Sequence, residues 1–330
     1  MSFRGHDSSV VPEPAVDPLT RFLALHGALD EGRGMFGDRV PLRLAAVTLI
    51  TTPGAPAELV ARVRACDAEL APHFGWLSDL TAPVRLVLAA ALVRVDESVP
   101  TFVAAMNEGR ALMRAAGIRR GGVHEVLAML VLRRVLGRRA IGAADIARFH
   151  AIYAEMKRHH WFLTGPNDFT ACAMLVGRRG TPPEIGEHCE AIYRRLARAP
   201  KTWRGEALQM ATNVLGLVEL APDEAAQRFL DVATALRDSG VRVGQDEYDD
   251  VAVLSMVPRA ADKIAQMVVH YRGRLDAELS WLSGSLATSL AANLGFVRLV
   301  SADEAVAALG DAKLLLDMQS IVTARQSSGM

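Results

Sequence analysis

Asp168-Phe-Thr-Ala-Cys-Ala-Met-Leu-Val176 and Glu206-Ala-Leu-Gln-Met-Ala-Thr-Asn-Val-Leu-Gly-Leu217 are segments of one kind, each centred on alanine. Leu88–Val93, His124–Leu132 and Tyr248–Val257 match them. Setting Ala90, Ala128, Ala171, Ala211 and Ala252 as equivalent gives steps of 38, 43, 40 and 41 residues, the range of two-helix solenoid repeats. Between these segments lie longer amphipathic stretches, Ala111–Gly117, Ile152–Met156, Ile192–Leu196 and Val232–Leu236, with apolar residues at i, i+3 and i+4. The pattern predicts an all-α fold: helix pairs of about 40 residues stacked as an α-solenoid or closed helical array.

Composition agrees. Hydrophobic residues make up 51% of the 330-residue chain and aromatics only 5%, so the apolar content is mainly Ala, Leu and Val, which favours helix–helix contact over aromatic-rich strands. Thr181-Pro-Pro-Glu184 and Ser301-Ala-Asp-Glu304 fit the capping box, Pro222 suits a first helical turn, and Gly117 and Gly240 stand where left-handed helix stops are needed. The expected organisation is a flexible arm over 1–17, one helical domain over 18–325 with capping helices at Thr20–Leu29 and Ala305–Val322, and a polar tail over 326–330.

Lys plus Arg and Asp plus Glu balance at 37 each, which removes the simplest argument for a nucleic-acid partner. Apolar runs such as Leu286–Val300 are too short or too interrupted to span a bilayer, and the first residues lack the apolar centre of a signal peptide. Cys66, Cys172 and Cys189 are odd in number and lack CxxC spacing, as expected of reduced core thiols. The expectation is a soluble, cytoplasmic protein without a membrane span.

The run Tyr153-Ala-Glu-Met-Lys-Arg-His-His-Trp-Phe-Leu-Thr-Gly-Pro-Asn-Asp-Phe-Thr-Ala-Cys-Ala-Met-Leu175 resembles the central signature of a bacterial family known as domain of unknown function 4003. Ile192–Leu196, Leu208–Leu215 and Asp249–Met256 fall where that family places similar helices. The resemblance implies a helical bacterial protein over most of residues 20–325 and implies no particular activity.

In a two-helix repeat the loops after each second helix line one edge. Here that edge comprises Gly117–His124, His159–Asp168, Ala199–Glu206 and Gly240–Asp250. Its Arg119, Arg120, His124, Trp161, Trp203, Arg204 and Tyr248 are candidate contacts for an unidentified protein or a small polar ligand, because aromatic and Arg side chains combine large rigid area with directional hydrogen bonds. The opposite edge has no aromatic residue in its loops. The ordinary expectation for Trp161 and Trp203 is burial as wedges between neighbouring repeats. For Asn167, Asp168 and Asp246 it is helix capping.

The second reading is a helical enzyme for a phosphorylated or polar small molecule. Its candidate residues are His159, His160, Asp168, Asp246, Asp249 and Asp250, with Arg204 for phosphate oxygens and a weak magnesium alternative at Asp168, Asp246 and Asp250. No cofactor is otherwise expected, since no phosphate loop, nicotinamide fingerprint or nucleophile elbow is present. His188 beside Cys189 suggests a thiol or metal site less strongly than a core cysteine. The Ala- and Leu-rich C-terminal region leaves self-association open.

Overall fold

The computed structural model describes residues 16–31, 39–74, 80–279 and 284–300. Among the described residues the protein is all-helical, with fourteen α-helices: α1 Pro18–Asp30, α2 Val40–Leu49, α3 Pro56–Leu70, α4 Ala82–Val95, α5 Val99–Ala115, α6 Val123–Val135, α7 Ala143–His160, α8 Phe169–Leu175, α9 Pro182–Leu196, α10 Glu206–Leu215, α11 Pro222–Asp238, α12 Tyr248–Ser255, α13 Ala261–Glu278 and α14 Gly284–Val300. Seven of them carry proline in the first two positions, where the missing N–H has no intrahelical partner to lose. The expected capping box forms at α9: Glu184 N–H donates to Thr181 Oγ1, and Thr181 N–H donates to Glu184 Oε2 at 2.7 Å. Gly117 and Gly240 adopt φ of 75° and 80°, as their role as helix stops requires.

The Ala-centred segments are helices α4, α6, α8, α10 and α12. Their burial explains their composition. All seven residues of α8 are buried, as is α6 from Val123 to Arg133, so these helices need small or apolar side chains on every face. The odd-numbered helices bury one stripe only: α9 buries Ile185, Cys189, Ile192 and Leu196, and α11 buries Ala225, Phe229, Val232 and Leu236.

Each odd-numbered helix packs on the even-numbered helix that follows it. Even-numbered helices also meet one another at α2–α4, α6–α8, α8–α10, α10–α12 and α12–α14, and the odd ones meet from α1–α3 through to α11–α13. The last described helix, α14, touches both α1 and α2. Asp17, the N-cap of α1, accepts hydrogen bonds from Thr20 N–H and Tyr271 Oη (3.2 Å) and pairs with Arg274 at 3.0 Å. The helix expected as a cap, Thr20–Leu29, falls within α1, which packs against α2, α3 and α14. The expected arm (apart from residues 16 and 17), the second capping helix, Ser301–Glu304 and the polar tail lie outside the described residues.

Arginines from three odd-numbered helices satisfy carbonyls at the ends of their partners. Arg21 donates to Thr52 and Gly54 after α2, Arg148 to Val176, Arg178 and Gly180 after α8, and Arg228 to Ser255 and Val257 at the end of α12. A guanidinium suits this place because it supplies several fixed donors and opposes the negative end of the helix dipole. Midway in sequence between Arg148 and Arg228 stands His188 on α9, whose Nε2 is buried without a hydrogen-bond partner.

Candidate functional site

The loops after α5, α7, α9 and α11 adjoin one another in order. A Cβ on Gly121 would come within 2.6 Å of the Phe169 ring and 3.2 Å of Pro166, so only glycine lets the first loop approach the second this closely. Gln209 Nε2 donates to Thr164 Oγ1 at 3.0 Å, and Asn167 donates to Glu206, joining the second loop to the third. Trp203 N–H donates to Tyr248 Oη at 3.0 Å, and Arg237 donates to the Lys201 carbonyl, joining the third to the fourth.

At the end of α7 the chain turns back, with Leu163 and Thr164 N–H both donating to the His160 carbonyl. This turn places Trp161 and Phe162 in solvent, 66% and 80% exposed, with their rings against each other. In the next loop Lys201 at φ 60° and Gly205 at φ 140° flank Trp203, which is 54% exposed. The expectation that both tryptophans are buried wedges is thus corrected: the turn geometry directs them outward. Phe162, not among the sequence candidates, is the most exposed of the three; its signal was adjacency to Trp161.

Arg119, Arg120 and Arg204 are exposed, as are Lys201 and Arg242, and none of the five makes an ion pair among the described residues. Two candidates are not surface groups. Tyr248 is fully buried, its hydroxyl holding the Trp203 loop, and His124 is buried in the first turn of α6. Both open even-numbered helices whose first turn faces the interior.

Beneath the aromatic loop lies a cavity of about 20 Å³ between α7, α8, α9 and α10, which is room for about one water. His159, His160, Glu190, Gln209, Thr212 and Asn213 supply its polar lining. His160 Nε2 lies 2.8 Å from Glu190 Oε2. Burial holds the His160 pKa below the usual imidazole value even against the pull of Glu190. Gln209 and Asn213 are nearly inaccessible to solvent, and Gln209 Oε1 and Asn213 Nδ2 have no hydrogen-bond partner. These two and Glu190 also lay outside the sequence candidates. Gln209 and Asn213, one turn apart on α10, were the available signal.

Asp168 is buried behind this cavity. Its carboxylate accepts from Gly165 N–H at 2.9 Å and from Gln209 Nε2 at 3.4 Å. The N-cap bond expected of it is not made: Asp168 precedes α8 but its carboxylate turns back to Gly165 instead of accepting from the first turn of that helix. Burial pushes its pKa up to about 7, with Glu206 adding repulsion and Gly165 N–H acting in the opposite sense. Asn167 instead donates to Glu206, and Asp246 is exposed while its neighbour Glu247 caps by accepting from Gly244 N–H at 2.8 Å. Asp250 is buried and accepts from Ser289 Oγ, and Asp249 is half-buried.

The structure therefore places His159 and His160 on the cavity and Asp168 behind it, bonded to the lining residue Gln209, but leaves Asp246, Asp249 and Asp250 on the turn before α12 and in α12 itself. Among the described residues no group of three or more His, Cys, Asp or Glu side chains converges as a metal would require. Cys172 and Cys189 are buried core thiols, pushed up in pKa chiefly by that burial, to about 12 for Cys189; Cys172 Sγ lies 3.1 Å from Met156 Sδ. Among the described residues no helix is long and apolar enough to cross a membrane.

An all-helical protein with an exposed aromatic and basic edge over a small polar cavity is the class these features define. A family model described as protein of unknown function (DUF4003) matches residues 57–327, and the chain belongs to that family. The matched region begins inside α3 and takes in the whole edge and cavity. No curated protein and no solved structure matches the chain.

Proposed function

We propose that the protein is a cytoplasmic helical-repeat binding or scaffolding protein that engages its partner through the Trp161–Phe162 and Trp203 edge. The observation carrying this reading is exposure. Six large hydrophobic residues are exposed among the described residues, and the three aromatic ones lie on two adjoining loops of this edge. Aromatic side chains held in solvent by turns that are themselves anchored are an unfavourable arrangement for the isolated molecule, and are the usual material of binding hot spots.

The test combines stability with capture. Trp161→Ala and Trp203→Ala should each change unfolding free energy by no more than about 0.5 kcal/mol, because both side chains are largely solvated. Each should weaken association with the partner co-purified from the native host by about tenfold or more. Loss of stability with unchanged association would overturn the reading.

The repeat reading extends to the architecture. The 40-residue spacing, the alternate burial of odd and even helices and the contact of α14 with α1 and α2 support helix pairs stacked into a closed array. Asp17→Ala removes the N-cap of α1 together with its bonds to Tyr271 and Arg274, and is expected to cost about 1–2 kcal/mol. Amide exchange should then rise in α1, α13 and α14 together. A rise confined to α1 would favour an open stack.

The cavity beneath the edge is of a size for a single water, which could bridge the unpartnered Gln209 Oε1 and Asn213 Nδ2.

A further inference from the structure

We propose that the partner segment seated on this edge is an acidic peptide bearing aromatic or leucine side chains. The inference rests on the reading of the edge as the binding surface and adds its chemistry. The chain as a whole is neutral, so any local excess of charge must be balanced by the opposite excess elsewhere.

On the four loops the exposed cations are Arg119, Arg120, Lys201, Arg204 and Arg242, none ion-paired among the described residues. The exposed carboxylates there are Glu206, which already accepts from Asn167, and Asp246. The opposite edge is organised differently. Around it Arg62 pairs with Asp96, Arg139 with Asp145, Arg179 with Glu219 and Arg195 with Asp223, and its other exposed cations, Arg138, Arg259 and Lys263, are matched in number by the exposed carboxylates Glu184, Glu224 and Asp262. Cations are therefore left unneutralised on the face where the aromatic rings are also left uncovered.

The two features select for the same occupant. Rings of Trp161, Phe162 and Trp203 take apolar side chains, and the guanidinium groups on these and the adjoining loops take carboxylates in bidentate pairs. Carboxylates spaced along an extended segment also steer its approach, at a range limited to about 8 Å by physiological salt. A single-stranded nucleic acid would use the same kinds of group. It is disfavoured because stacking on such strands needs open ring faces in series, whereas Trp161 and Phe162 lie against each other.

The experiment uses the full chain and labelled short peptides, read by fluorescence anisotropy. One peptide alternates Glu and Asp with Leu and Trp, a second replaces the acids by Lys, a third keeps the acids and replaces the apolar residues by Ser, and an oligothymidylate serves as the nucleic-acid probe. The acidic–apolar peptide should bind at least about tenfold more tightly than each of the other probes, and added salt should weaken it. Arg119→Glu combined with Arg120→Glu and Arg204→Glu should reverse the preference toward the Lys peptide. Trp161→Ala with Phe162→Ala should weaken binding by about tenfold at an unchanged melting temperature.

Equal binding of the acidic and Lys peptides, tighter binding of the oligothymidylate, or no binding by any peptide would each overturn the acidic assignment. The reading of the edge as a binding surface fails separately, when the host-derived partner stays bound to the Trp161→Ala and Trp203→Ala variants.

Discussion

Replacing Glu97 by alanine is expected to lower the unfolding free energy by about 3–5 kcal/mol, the cost of leaving a buried guanidinium without its counter-charge. Glu97 follows α4 directly and is met by Arg133 of α6, whose Nε donates to Glu97 Oε1 at 2.9 Å and whose Nη2 donates to the same oxygen. Both side chains are buried, at 7% exposure for Arg133 and 3% for Glu97. Arg133 Nη1 further donates to the carbonyls of Arg138 (2.9 Å) and Arg139. One side chain thus ties the end of α4 to the end of α6. Exchanging both partners, Glu97→Leu with Arg133→Met, should recover a large part of the loss, because it removes the stranded charge at the expense of two carbonyl contacts. Urea denaturation of the two singles and the double provides the cycle. A single-mutant loss below about 1 kcal/mol would mean that water reaches the pair.

Asp168 and His188 should tilt the pH dependence of stability in opposite directions. Burial raises the folded pKa of Asp168 from 3.8 to about 7, so between these values the folded state holds more protons than the unfolded one. Stability due to this group is therefore intact below about pH 4 and falls as pH rises toward 7. His188 is the reverse. Burial, with Arg178 as a secondary cause, lowers its pKa from 6.5 to about 4, so the unfolded state holds more protons in that window and stability is lost as pH falls through it.

Asp168→Asn should stabilise the protein at pH 8 by about 2–4 kcal/mol, and the gain should vanish near pH 4. Asparagine can keep the Gly165 bond, and its amide N–H can donate to Gln209 Oε1, which has no partner in the parent. His188→Gln should leave pH 8 stability nearly unchanged and gain about 1–2 kcal/mol at pH 4, a figure reduced for the partial exposure of the ring. Thermal melts across pH 4–8 separate the two. Parallel profiles for both variants would refute the assignment.

The fold was largely legible because complete burial leaves a compositional trace. Helices such as α8 and α10 pack on all sides, and that demand appears in sequence as alanine-centred runs at a regular spacing. The short 3-10 turns Pro166–Asp168 and Gln245–Glu247 were not legible, since three residues carry no periodicity. Their effect is visible all the same: each sets a carboxylate back onto a glycine N–H, Asp168 onto Gly165 and Glu247 onto Gly244.

The edge could be read from loop recurrence, but the direction of each side chain could not. Tyr248 stands in an acidic run that suggests solvent, yet it opens a helix whose first turn faces inward. Trp161 and Trp203 have the composition of wedges, yet local turns carry them outward. The cavity depends on His160, Glu190 and Gln209 meeting from three helices, a coincidence of packing that no local spacing encodes.

The contact of α14 with α1 and α2, reinforced by Asp17 with Arg274, bears on how the molecule comes apart. A linear stack has outermost units with one neighbour each, and these fray at low cost. Here the first and last described helices supply each other's missing neighbour. In the closed array proposed above, opening has to begin by tearing a two-sided junction, so hydrogen exchange should approach a single global rate along the described helices instead of falling off from either end.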